Sequence, residues 1–173
     1  MAQYRFSFPT TIHFGTGIRS MVGDHFKAQK LSKPLIVTDK GVADLDIFKK
    51  FVTQLGSTGL SPGVFKDIWG NPVKSQVSMG VEAYREHRAD SIIAVGGGAA
   101  IDVAKAIALM VTHSGDLFDY EDEKPGARNI DGEIPYWVAI PTTAGTGSEV
   151  GRSTVISDDK THIKKIMFSP KLL

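Results

Sequence analysis

Ser91-Ile92-Ile93-Ala94-Val95-Gly96-Gly97-Gly98-Ala99-Ala100-Ile101-Asp102 reads as a buried strand that runs straight into three glycines and then into a helix. The run Ser91–Val95 is short, apolar and β-branched, as in a strand covered on both faces. Ala99 to Val111 is rich in Ala, Ile and Leu and has the length of a helix. Glycine lets the backbone turn sharply and lets a ligand approach the amides closely. The first helical turn then offers unpaired N–H groups and a partial positive charge. Such a junction is an anion site suited to a diphosphate, at the carboxyl end of a strand where open α/β sheets bind ligands. It also reads as a tight turn without a ligand, because two glycines suffice for that. The G-x-G-x-x-G fingerprint is not met, since Ile101 stands where its last glycine belongs.

Outward from this junction the same alternation repeats. Pro34–Val37 is a second short apolar strand, ended by Thr38-Asp39-Lys40-Gly41. Leu45, Phe48, Val52 and Leu55 form one stripe, which predicts a single helix from Val42 to Leu55 capped by Gly56. Gly63-Val64-Phe65 predicts a short strand, and Asn71-Pro72 an N-cap followed by proline at the first helical position. Val73, Val77, Val81 and Tyr84 mark the next helix, and Tyr136–Ile140 another buried strand. Strands and helices alternating at this spacing imply βαβ units, a parallel sheet and helices on both faces. Upstream, Tyr4, Phe6 and Phe8 alternate with polar residues, which predicts a hairpin that turns at Pro9-Thr10 and returns over Thr11–Phe14. Ile18 to Phe26 suits a short helix. Asp116, Asp119, Glu121, Asp122 and Glu123 make the connection before Tyr136 acidic, as in a solvated surface loop. Thr154–Ile156 and Ile163–Phe168 read as a second hairpin, and nothing in the last five residues reads as a docking helix.

Composition narrows the function classes. The 173 residues make one domain, 1–173, with 42% hydrophobic and 23% charged residues. Net charge is +1, without the basic excess that nucleic-acid binding by counterion release requires. There is no cysteine, hence no disulfide, thiolate metal site or cysteine nucleophile. No apolar run suits a membrane span and no apolar segment follows the start, so a cytoplasmic protein is expected.

Two further segments carry chemistry. Asp39 ends a strand, where a carboxylate can accept both ribose hydroxyls of an adenosine and repel a 2′-phosphate; it equally suits a helix cap. Pro141-Thr142-Thr143-Ala144-Gly145-Thr146-Gly147-Ser148-Glu149-Val150 follows a strand with compact hydroxyls and glycines, which suits a ligand-binding loop. Asp102 and Lys105 are three apart on one helix; they read either as a surface ion pair or with Asp102 facing the ligand beside the glycines. Asp158 and His162 form D-x-x-x-H, but on a hairpin turn, where they read as solvated residues. There is no G-x-x-x-x-G-K-[ST] and no G-x-S-x-G.

Taken together, Gly96–Lys105 (GGGAAIDVAK), Pro141–Val150 (PTTAGTGSEV), Phe14–Gly17 (FGTG), Asp39 and Asn71-Pro72 resemble the iron-containing (group III) alcohol dehydrogenase family, in the same order along the whole chain. The resemblance implies a Rossmann-like α/β domain of the dehydroquinate-synthase-like kind that binds a nicotinamide dinucleotide. It implies Asp39 at the adenosine ribose, favouring NAD over NADP, and Asn71 in the cofactor groove. It implies Gly97, Gly98 and Ala99 at the diphosphate with Asp102 close by, and Thr142, Thr143 and Thr146 bordering adenine and diphosphate. Val150 would lie near the nicotinamide and Lys164 at its ribose. Ala99 and Gly151 depart from the family's usual hydroxyl residues, so two side-chain bonds to the cofactor would be missing. The family holds its divalent metal, iron or zinc, in a second, helical domain whose ligands this chain lacks. The expected whole enzyme oxidises a small alcohol or reduces an aldehyde, as a homodimer, and this chain alone is expected to be inactive. Related readings are a glycerol dehydrogenase or dehydroquinate synthase, or a nucleotide-binding module without catalysis.

Overall fold

The computed structural model describes residues 10–122 and 124–173. Four strands form a parallel sheet in the order β2 (Gly63–Phe65), β1 (Pro34–Thr38), β3 (Ser91–Gly96), β4 (Tyr136–Pro141). Helices α1 (Val22–Ala28), α2 (Lys40–Asp44) and α3 (Asp46–Ser57) belong to one face, and α4 (Lys74–His87) and α5 (Gly98–Thr112) to the other. The period-two geometry of a strand divides the core between them. Ile36, Ile93 and Val95 meet Phe26, Phe48, Phe51 and Leu55. Leu35, Val37, Ile92 and Ala94 meet α4 and α5. Ile93 is wholly buried, worth about 2–3 kcal/mol against an exposed side chain.

A separate antiparallel hairpin, β5 (Ser153–Ser157) with β6 (Lys164–Phe168), packs on the far side of α5. Ile156 and Met167 join the core there. This cover explains why α5 is buried all round from Ala100 to Leu109. A helix with one wet face would show a polar stripe.

Several expectations need correction. Tyr4, Phe6 and Phe8 lie outside the described residues, and Thr11–Phe14 forms no strand. The helix expected at Ile18 begins as a 3-10 turn, Ile18–Met21, before α1. The single helix expected over Val42–Leu55 is two helices, broken at extended Leu45, which is exposed. Asp39 is the reason: its carboxylate accepts the Val42 N–H at 2.9 Å and starts α2 early. The chain then re-aims, so Phe48, Phe51 and Leu55 face the core. The helix also outruns Gly56 and ends at Ser57, with Gly59 just beyond the Thr58 cap at a φ of 91° that suits glycine. Asn71-Pro72 does not start α4. Val73 does, with its N–H bonded to Gln76 Oε1 at 3.2 Å, while Pro72 O accepts the Ser157 N–H at 2.8 Å and docks the hairpin.

β4 is half-exposed rather than buried, because among the described residues it pairs on one side only. The acidic connection is clamped rather than free. Leu117, Phe118 and Tyr120 are buried, Asp116 pairs with Lys74, and Glu121 holds Lys165 at 2.7 Å. The last residues do dock: a 3-10 turn over Pro170–Leu172 buries Leu172 completely. Among the described residues no helix is long and apolar enough to cross a membrane.

Candidate functional site

Parallel register brings three strand ends to one level. Thr38 pairs with Val95 and Gly96 with Pro141, so Asp39 leaves the sheet beside Gly96, one residue before Gly97 and Thr142 leave it side by side. Gly96 has φ 154°, and a β-carbon there would lie 2.7 Å from the Ala100 methyl. The strand can therefore enter α5 only through glycine. Gly97 is the N-cap, with no side chain bonded to the first turn. The Ile101 N–H bonds back to Gly97 O, which leaves the amides before it for other partners.

The threonine loop lies over this turn. Thr142 N–H donates to Gly96 O at 3.0 Å. A β-carbon at Gly97 would be 3.0 Å from Thr143 Oγ1, and one at Gly98 2.5 Å from Thr146 Oγ1. The loop hydroxyls thus occupy the space that side chains at the glycines would fill. Thr142, Thr143 and Thr146 are exposed, while Gly97, Gly98 and Ala99 are half-buried beside them. Asp39 Oδ1 caps α2, and its Oδ2 would lie 3.3 Å from a β-carbon at Gly96. Asp39 is therefore both cap and neighbour of the glycine turn.

The remaining candidates spread outward from this centre. Exposed Asn71 adjoins Pro72, to which the hairpin is bonded, and exposed Lys164 pairs across that hairpin with Ser157. Both therefore stand on the hairpin side of the groove. Val150 is half-buried in the turn after Gly147, with its N–H on Gly147 O at 3.0 Å. Asp158 accepts from the N–H groups of Lys160 and Thr161, as a turn residue does.

Asp102 and Lys105 are not a surface pair. Both are buried, beneath the segment that follows the threonine loop. Lys105 Nζ donates to Gly151 O at 2.6 Å and Ser153 O at 3.2 Å, and lies 5.2 Å from the centre of the Trp137 ring. Burial pushes Lys105 down to about 8, opposed by the charges of Asp102 and Glu149. Burial pushes Asp102 up to about 6, opposed by Ser148, by Lys105 and by the Val155 N–H. Sequence reasoning missed this seam. The available signal was α5 itself: a helix with no polar face must bury any lysine it carries.

Two surface clefts lie elsewhere. One, of about 380 Å³, is lined by α4 and the segment after α5, including Lys74, Arg85 and His113; the other runs along His113 and Arg128. Neither contains a candidate residue.

Residues 9–173 match the family described as iron-containing alcohol dehydrogenase. The chain belongs to that family. It is 36% identical over 161 residues to a choline dehydrogenase of Bacillus subtilis (strain 168), covering 93% of this chain and 40% of that protein. Among solved structures, a 1,3-propanediol oxidoreductase superposes with a TM-score of 0.88 at 31% identity, over 99% of this chain and 44% of that one. A sulfoacetaldehyde reductase of Bifidobacterium kashiwanohense, solved in complex with NAD+, gives 0.84 at 29% identity, over 100% and 45%. The chain thus spans less than half the length of these relatives. Its sheet and helices are those of the family's α/β fold.

Proposed function

We propose that this chain binds NAD(H) and is the cofactor half of a metal-dependent dehydrogenase that moves hydride between a small alcohol or aldehyde and NAD. The observation that supports it is the junction itself: Thr143 and Thr146 laid over Gly97 and Gly98, at the start of α5 and level with Asp39. A cradle with its side-chain space filled by hydroxyls fits a diphosphate, which takes hydrogen bonds from amides and hydroxyls alike. In this reading the amides of Gly97, Gly98 and Ala99 hold the diphosphate, and Thr142, Thr143 and Thr146 border it. Asp39 keeps Oδ1 on the α2 cap and offers Oδ2 to the adenosine ribose, which favours NAD over NADP. Asn71 lines the groove, Val150 lies near the nicotinamide and Lys164 at its ribose. Asp102 stands close by, beneath the loop.

The dinucleotide, when bound, supplies the hydride acceptor; this chain's residues bind and orient it. Among the described residues no three His, Asp or Glu side chains form a metal-binding group. The described residues do not fit the family's metal. We take 1–173 as one dinucleotide-binding domain, with metal and substrate contacts in the part of the relatives that this chain does not cover. The relatives' different names leave the alcohol open.

Titration calorimetry with NADH and NADPH tests the reading. Saturable NADH binding, tighter than NADPH binding, is expected. No saturable binding of NADH at millimolar concentration overturns it.

A further inference from the structure

A lysine is almost never fully buried unless something takes its charge. Lys105 is fully buried, and its direct partners are not a carboxylate but two main-chain carbonyls, Gly151 O and Ser153 O. Those carbonyls belong to the segment that joins the threonine loop to β5. The helix that carries Lys105 begins at the glycine turn. One side chain therefore ties the two halves of the candidate site together from below.

Other bonds run along the same seam. Thr154 Oγ1 donates to Asp102 O at 2.6 Å, and the Ser148 hydroxyl faces the Asp102 carboxyl and favours its charged form. Main-chain anchors of the loop are few: Thr142 N–H on Gly96 O at its start, and Arg152 O accepting the Ser169 N–H at its end. Between these points the loop is exposed or half-buried. Its height over Gly97 and Gly98 has to be set from underneath. The Trp137 ring of β4 shares the pocket of the ammonium. The charged groups facing it are Asp102 on its own helix and Glu149 on the loop.

We propose that Lys105 is a positioning residue: it touches no ligand, but by bonding Gly151 O and Ser153 O it fixes the Thr142–Gly147 loop over the glycine turn. The proposal concerns the shape of the unliganded loop, and it rests on the NAD reading only for its effect on affinity. Loss of its donors leaves two carbonyls without partners and the Asp102 carboxylate without a neighbouring cation.

The test compares Lys105→Met, which keeps the length and removes every donor, with Lys105→Gln, which keeps two N–H donors and no charge. Amide hydrogen exchange is followed in the unliganded protein, segment by segment. In Lys105→Met, exchange across 142–153 is expected to speed up by about tenfold or more, while β1 and β3 stay as protected as in the wild type. Lys105→Gln restores part of the loop protection. NADH affinity follows the same order, falling by about tenfold in Lys105→Met. Unchanged loop exchange in both variants overturns the proposal. So does loss of protection through the whole sheet in both, which makes Lys105 a residue of folding and not of loop position. If the wild type binds no NADH, the cofactor reading fails while the exchange data still decide the role of Lys105.

Discussion

The buried pair on α5 gives a pH dependence of stability with an unusual sign. Lys105 is held at about 8 in the folded chain against an ordinary 10.5. Between these values the folded chain has released the proton and the unfolded chain still binds it. Stability rises with pH wherever the unfolded state binds more protons. Lys105 is out of contact with bulk water but lies under a thin, half-exposed loop, so with screening the gap corresponds to a gain on the order of 2–3 kcal/mol from pH 8 to 10.5. Asp102 works the other way. It keeps its proton up to about 6 in the folded chain and up to 3.8 when unfolded. Stability therefore falls by about 3 kcal/mol as pH rises from 3.8 to 6. The alkaline window is the cleaner one. Asp90, Asp116 and Asp158 are all held below the ordinary carboxylate range, and they lose their contribution as the acid side is entered. Tyr84, pushed up to about 12 by burial, reverses the slope only above pH 10. Urea unfolding from pH 7 to 10, followed by circular dichroism, measures the effect. Midpoints are expected to climb above pH 8, and Lys105→Gln is expected to remove the climb. A wild-type stability that is flat or falling from pH 8 to 10 would mean that Lys105 is hydrated in solution and the buried seam is wrong.

Other substitutions separate site from scaffold. Gly98→Ala places a β-carbon 2.5 Å from Thr146 Oγ1 and lifts the loop, so NADH affinity measured by calorimetry is expected to fall by about tenfold, with the far-ultraviolet dichroism unchanged. Asp39→Ser keeps a hydroxyl cap for α2 but removes the charge, so the ratio of NADPH to NADH affinity is expected to rise by about tenfold or more; an unchanged ratio removes Asp39 from the ribose. Ile93→Ala, in the middle of β3 and wholly buried, is expected to cost about 3 kcal/mol in urea unfolding. Ile47→Ala, on the exposed side of α3, is expected to change stability by less than about 0.5 kcal/mol in the same assay.

Sequence alone determined the four strands of the parallel sheet and their order along the chain. Pro34–Val37 and Ser91–Val95 are β-branched runs too short for helices, and the glycines after Val95 mark a turn whatever surrounds them. The loop Pro141–Val150 was legible for the same local reason, because its small hydroxyl residues and glycines suit no regular element. What sequence could not decide was which partner each group finds across the fold. Leu45 fits the helical stripe of Phe48 and Leu55, yet it is extended, because the Asp39 cap fixed an earlier start. Asn71-Pro72 has the form of a helix start, yet Pro72 O is engaged by Ser157, some 85 residues on. For Asp102 and Lys105 the sequence left open a surface ion pair or an Asp102 facing the ligand, and the β5–β6 hairpin, which covers that side of α5, removes the surface pair. The laying of Thr143 and Thr146 over Gly97 and Gly98 is likewise a fact of register, set by Gly96 pairing with Pro141. Local sequence fixes backbone preference, which acts over a few residues. Burial and hydrogen-bond partnership are settled only when distant segments meet, so the chemistry of a buried charge belongs to the tertiary structure.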